Sequence, residues 1–157
     1  MTVMRVVVPV GLGALAMVLC AAMGPAAAVE VNPPLPTGTL VIADRVTVTV
    51  ELARSIPEKT RGLSGRPALK PGHGMLFVYD QPQPIGIWMK DMRFALDILW
   101  IRDGRIAHVE KQAPPLVPSG PERVYTATGE AVLEVPAGFA DEQKIRVGDR
   151  VKVDLTR

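Results

Sequence analysis

Hydrophobic and polar positions alternate with a period of two from Val46 to Leu52: Val46, Val48, Val50 and Leu52 interleave with Thr47, Thr49 and Glu51. Within Thr39 to Ala53 this pattern predicts a strand with one buried and one open face. Ser55-Ile56-Pro57-Glu58 follows, a capping box with Pro in the first turn, and predicts a short helix interrupted by Gly62 and Gly65. The pattern then becomes continuously apolar. Gly74 to Tyr79 and Ile85 to Lys90 read as buried strands separated by a loop, Asp80 to Pro84, that contains two prolines. Leu96 to Arg102 is a third such strand, turned by Asp103-Gly104 into Arg105 to Lys111. Arg123 to Ala127 and Glu130 to Val135 read as a hairpin about Thr128-Gly129. Ala137 to Gln143 is long enough for one or two helical turns, and Gly148-Asp149 leads into a closing strand, Arg150 to Leu155. The segment Ala113 to Pro121 holds four prolines and is expected to be irregular. Short strands at regular spacing with Gly/Pro turns predict a mostly β, single-domain fold. It is a β-sandwich or a partly open barrel with one or two short helices.

The N-terminus has a different pattern. Arg5 precedes an apolar run, Val6 to Leu19, then Gly24-Pro25 and the small residues Ala26-Ala27-Ala28. This is the layout of a signal peptide over residues 1–28, cleaved after Ala28. The apolar run is short for a membrane span, and Leu19 before Cys20 is a poor lipid-attachment context. The chain is therefore expected to be periplasmic or secreted, touching the membrane only through an uncleaved leader. Residues 29–38 form a Pro-rich spacer, whose core Val31 to Gly38 is expected to be extended and poorly ordered. Residues 39–157 form the β domain.

Loss of the leader removes Cys20, the single cysteine, and four of seven methionines. What remains has no thiol chemistry and carries 17 basic against 16 acidic residues, a net charge of +1. Such a balance predicts neither a nucleic-acid partner nor a polybasic membrane patch.

Candidate chemistry starts from charge in apolar surroundings. Lys90 and Asp97 fall within the apolar stretch from Gly74 to Ile101, and a buried charge needs a partner. Arg61, Arg66 and Lys90 are the cations expected to serve Asp97, either around a ligand or as a salt bridge docking the Arg61 helix. Trp88 and Lys90 share a strand face opposite Met89, which suits a small-ligand platform with an aromatic face. Glu134 points away from Leu133 and Val135. If Glu134 lay near Asp97, the pair would have the composition of a general acid and base. His73, Met75, Met89 and Met92 are soft donors of the kind that hold Cu(I), but core packing explains Met75 and Met89 and a copper tail would be richer in Met and more exposed, so no metal or other cofactor is expected. Nucleophile elbows, phosphate loops and zinc-helix motifs are absent from the sequence.

The ordered run Thr60-Arg61-Gly62-Leu63-Ser64-Gly65-Arg66, Gly74-Met75-Leu76-Phe77, Trp88-Met89-Lys90-Asp91-Met92, Leu96-Asp97-Ile98, Val132-Leu133-Glu134 and Gly148-Asp149 resembles the DUF192 family. The resemblance spans about Thr39 to Leu155. It departs from the usual family pattern at Ser64, at Asp91-Met92 and at Ala95. It implies a compact, mostly β fold with sandwich topology and no established activity, cofactor or catalytic residue. Together, residues and resemblance lead to a non-enzymatic exported domain that binds a small polar or anionic envelope ligand through Arg61, Arg66, Trp88, Lys90, Asp97 and Glu134. The alternatives are an envelope hydrolase using Asp97 and Glu134, and a structural or protein-interaction domain.

Overall fold

The structure is a computed structural model that describes residues 29–116 and 123–154. The leader and most of the proline-rich 113–121 loop lie outside the described residues. The strands are β1 (Thr37–Ile42), β2 (Val46–Ala53), β3 (His73–Trp88), β4 (Leu96–Arg102), β5 (Arg105–Ala113), β6 (Val124–Pro136) and β7 (Val151–Asp154). The helices are α1 (Ile56–Arg61), between β2 and β3, and α2 (Phe139–Glu142), between β6 and β7. All seven strands join one sheet in the order β5-β4-β6-β3-β2-β1-β7. Among the described residues only β2 and β3 pair in parallel, because α1 and the segment after it make the crossover that parallel pairing requires. The sheet curls into a half-barrel. Its two edges meet at one corner through an Arg105–Arg150 bridge and the bonds Ile106 N–H to Asp149 O and Val151 N–H to Gly104 O. Of the two expected architectures, the partly open barrel is the one formed.

Each face of the sheet carries its own core. The concave face draws apolar residues from every strand, among them Leu40, Val48, Leu76, Leu99, Ile106, Leu133 and Val151, and is capped by Phe139 and Ala140 of α2. The convex face gathers Met75, Phe77, Ile98, Trp100 and Val132 beneath Leu63 and the outer halves of β3 and β6. Burial on both faces explains why β4 is apolar without alternation.

Three local readings are corrected by the structure. Thr39 to Ala53 is a hairpin rather than one strand, turned by Ala43 (φ 52°) and Asp44 (φ 55°). Asp tolerates that conformation, but no glycine marks it in the sequence. The supposed loop Asp80 to Pro84 lies within a continuous sixteen-residue β3, whose pairing with β6 shifts register between Val78 and Gln83. The supposed hairpin at Thr128-Gly129 is a continuous thirteen-residue β6. Gly129 lies there because β4 crosses close by: a Cβ would sit 2.5 Å from the carbonyl oxygen of Ile101. Gly129→Ala is expected to cost about 2 kcal/mol or more, measurable as a lower denaturant midpoint with an unchanged slope.

The spacer is also corrected. Residues 29–36 form no helix or strand, yet they are tied down. Asn32 is buried and its amide donates to the carbonyls of Glu58 (2.9 Å) and Gly62 (3.0 Å), serving the C-terminal end of α1. Leu35 enters the convex core, and Leu52 N–H donates to Pro36 O.

Candidate functional site

The capping box expected at Ser55 is present: Ser55 Oγ accepts from Glu58 N–H, and the Glu58 carboxylate accepts from the N–H groups of Arg54 and Ser55 at 2.8 Å. These bonds hold the Glu58 carboxyl below its usual range and fix α1 over the convex face. Gly62 closes the helix in a positive-φ conformation. The chain can then pass over Phe77, and the turn after α1 becomes one wall of a cavity of about 390 Å³.

Glu134 lies at the base of that cavity. Phe77, Tyr79, Ile87 and Trp88 of β3 form the aromatic and apolar sides. Lys59 and Arg61 of α1 stand at the rim, with Lys59 Nζ 3.9 Å from the centre of the Tyr79 ring. Ile56 (81% exposed) and Trp88 (43% exposed) leave apolar surface open at the mouth.

Glu134 was expected on a strand face away from Leu133 and Val135, and that orientation is observed. It is 5% exposed, and no cation or hydrogen-bond donor among the described residues supports its charge. Burial alone pushes its carboxyl up to about 8, so it is neutral at pH 7. Burial, and secondarily the charge of Glu134, also raises the Tyr79 phenol.

A row across the sheet explains why Glu134 is alone. Glu51 on β2 pairs with Met75 on β3, Met75 with Glu134 on β6, and Glu134 with Ile98 on β4. The two carboxyl-bearing residues are thus two strands apart, about 10 Å at Cα. Arg66 serves only the first of them, clamping Glu51 through two bonds of 2.5 and 2.8 Å. Met75 fills the space between and offers Glu134 no polar partner.

The other expected residues are dispersed. Arg61 pairs with Glu30 at 2.6 Å, not with Asp97. Lys90 lies just beyond β3 and is exposed, so it is not a buried charge; its carbonyl accepts from Ser64 Oγ. Asp97 is fully buried on the concave face and meets none of the three cations. One of its oxygens accepts from Gln112 N–H (2.8 Å) and Gly138 N–H (3.1 Å), the other from Ala140 N–H (2.8 Å). Gln112 sits where the β4–β5 register shifts, and Gly138 is the N-cap of α2 without a side chain to cap with. Asp97 therefore supplies, from the neighbouring strand, the acceptor that a Ser or Asp N-cap would provide. Because Ile98 pairs with Glu134 and Asp97 with Val135, the two acids project to opposite faces of the sheet, and the acid–base pair envisaged for them does not form. Met75 and Met89 are buried in the convex core, as packing predicts. Sequence reasoning missed Phe77, Tyr79 and Lys59 as cavity residues. Their signal, a period of two through Phe77 and Tyr79, was present but read only as core.

The fold and cavity define a small β half-barrel domain with a pocket on its convex face. The chain belongs to the DUF192 family, described as uncharacterized ACR, whose profile matches residues 39–153. Two crystal structures are similar. One, from Sinorhizobium meliloti 1021, is provisionally named a transcription regulator: 28% identity, TM-score 0.71, covering 78% of this chain and 97% of that one. The other is a protein of unknown function from Novosphingobium aromaticivorans DSM 12444: 29% identity, TM-score 0.70, covering 78% and 91%. No curated protein matches the chain.

Proposed function

We propose that the domain binds a small organic ligand in the convex-face cavity. The observation that carries this reading is the Glu134 carboxyl, buried without a partner yet opening into a cavity walled by aromatic rings. A neutral carboxyl both donates and accepts one hydrogen bond, so it suits a carbonyl, amide or hydroxyl on the ligand. Phe77, Tyr79 and Trp88 favour a flat or apolar body. Lys59 at the rim, beside the Arg61–Glu30 pair, favours an acidic group at the outer end. A net charge near zero favours such a ligand over a nucleic acid. Of the residues expected to bind it, Arg61, Trp88 and Glu134 belong to this cavity.

The N-terminal pattern supports export, with the domain acting in the periplasm or outside the cell. A purified exported protein beginning at Val29 is the expected product, checked by intact mass.

The binding test is a thermal-shift panel of sugars, organic acids and ring-bearing acids on the domain. At least one compound combining a ring with an acidic group is expected to raise the melting temperature. Trp88→Ala should weaken that compound about tenfold while leaving the unliganded melting temperature nearly unchanged. If no compound in the panel shifts the protein, the reading fails.

A further inference from the structure

We propose that the cavity above Glu134 takes a flat ring with a hydrogen-bond donor and acceptor side by side on its inner edge, as in a lactam. An acidic group stands at the ring's outer end. This rests on the ligand-binding role proposed for that cavity and names the chemical class of its ligand.

The inner edge follows from the geometry of Glu134. Its main chain is held between β3 and β4 by pairing with Met75 and Ile98, so the side chain is what reaches the cavity. Neither carboxyl oxygen accepts a hydrogen bond from a described residue. Nor is either of them sealed from solvent, as the unpartnered Asn32 Oδ1, Arg66 Nε and Glu130 Oε2 are. Both oxygens are thus open to the cavity. Burial without a cation keeps the group neutral at pH 7. A neutral carboxyl has its O–H and its C=O in one plane, a donor beside an acceptor. Its full complement is an acceptor beside a donor in that same plane. An ester, ketone or ether meets half of it and leaves a buried group unmet.

The walls select the rest of the ligand. Phe77, Tyr79 and Trp88 give a ring flat partners, and a volume of about 390 Å³ lies toward the lower end of small-ligand pockets, room for one ring or two. An ammonium group is disfavoured. Lys59 Nζ already lies 3.9 Å from the centre of the Tyr79 ring, and a second cation would be repelled by it and would have to ionise Glu134. Lys59 at the rim matches an acid instead.

Calorimetry with four probes tests the proposal: a pyridone carboxylate with its lactam edge opposite the acid, its N-methyl derivative, benzoate and aminomethylbenzoate. The pyridone carboxylate is expected to bind about tenfold or more tightly than the N-methyl derivative, which lacks the donor, and benzoate, which lacks the whole edge. Glu134→Gln keeps a donor beside an acceptor, so it should bind this probe within severalfold of wild type at pH 7. Between pH 7 and pH 9 wild type should lose about tenfold in affinity relative to the variant, as the carboxyl ionises. Tyr79, Lys59 and Arg61, the other ionisable groups lining the cavity, are common to both proteins and cancel. Benzoate binding as tightly as the pyridone would overturn the lactam edge and leave the ring-and-acid reading standing. Tightest binding of aminomethylbenzoate, with proton release, would replace the lactam by an ammonium ligand. An equal loss with pH in both proteins would remove Glu134 from the site. Failure of all four probes while another compound of the thermal-shift panel binds would overturn the lactam class alone, and failure of every compound would overturn the binding role with it.

Discussion

Asp97→Asn is expected to lower the melting temperature by about 10 °C and stability by roughly 2–4 kcal/mol, without altering any ligand response. The carboxylate accepts three backbone N–H groups: one released by the irregular β4–β5 ladder, two from the start of α2. An asparagine offers one oxygen in place of two. Its amide then faces either the Ala140 N–H or the Gln112 and Gly138 pair, donor against donor. The Ala140 bond is buried, so no solvent replaces it. Asp97→Ala removes both acceptor oxygens and all three hydrogen bonds, and its cost should approach the whole stability of a domain of this size. Because α2 caps the concave core, loosening it should also raise hydrogen exchange at Phe139 and Ala140 first. A variant that melts like wild type would show that the backbone donors find other partners.

Glu134→Gln is expected to change the pH dependence of stability more than any other single substitution. The folded-state carboxyl titrates near 8 against about 4.5 when unfolded. Between those values the folded protein binds the proton and the unfolded chain does not. Stability from this group is therefore full below about pH 4.5 and is lost as pH rises through 8. The total change is on the order of a few kcal/mol. Glutamine keeps the shape and stays neutral, so the variant should match wild type near pH 4 and exceed it at pH 9. Chemical denaturation of both proteins across that range gives the difference directly. The depressed carboxyls of Asp44 and Glu58 act in the acid range in both proteins and cancel in the comparison. Parallel curves for the two proteins would mean that Glu134 gains a partner in solution.

Much of the fold was legible because it rests on local rules. The alternation from Val46 to Leu52 and the Ser55–Glu58 box each became the element they predict. Elements were misread where the deciding neighbour is remote in sequence. Gly129 looks like a turn glycine, and only the approach of Ile101 makes it a strand residue. Pro82 and Pro84 look like loop residues, yet Pro82 falls within the register shift of β3 and Pro84 pairs with Thr128 just beyond it.

The site follows the same division. The buried carboxyl of Asp97 was legible, but its partners were sought among side chains. They are backbone donors 15 to 43 residues away, and the one local hint was a helix start at Gly138 with no capping side chain. Glu134 and Asp97 stand on adjacent strands, and a pairing offset of one residue sends them to opposite faces. No property of either segment alone reveals that offset. Arg66 was expected to serve Asp97 or a ligand, and it is bound instead to Glu51, a partner no local pattern marks.

The titration of the Glu134 carboxyl by carbon-detected NMR tests the central claim most directly. An unpartnered neutral acid at the base of the cavity should titrate with a midpoint near 8 in the free domain. A midpoint in the ordinary glutamate range of about 4–5 would place the carboxyl in water or beside a cation, and would contradict the account.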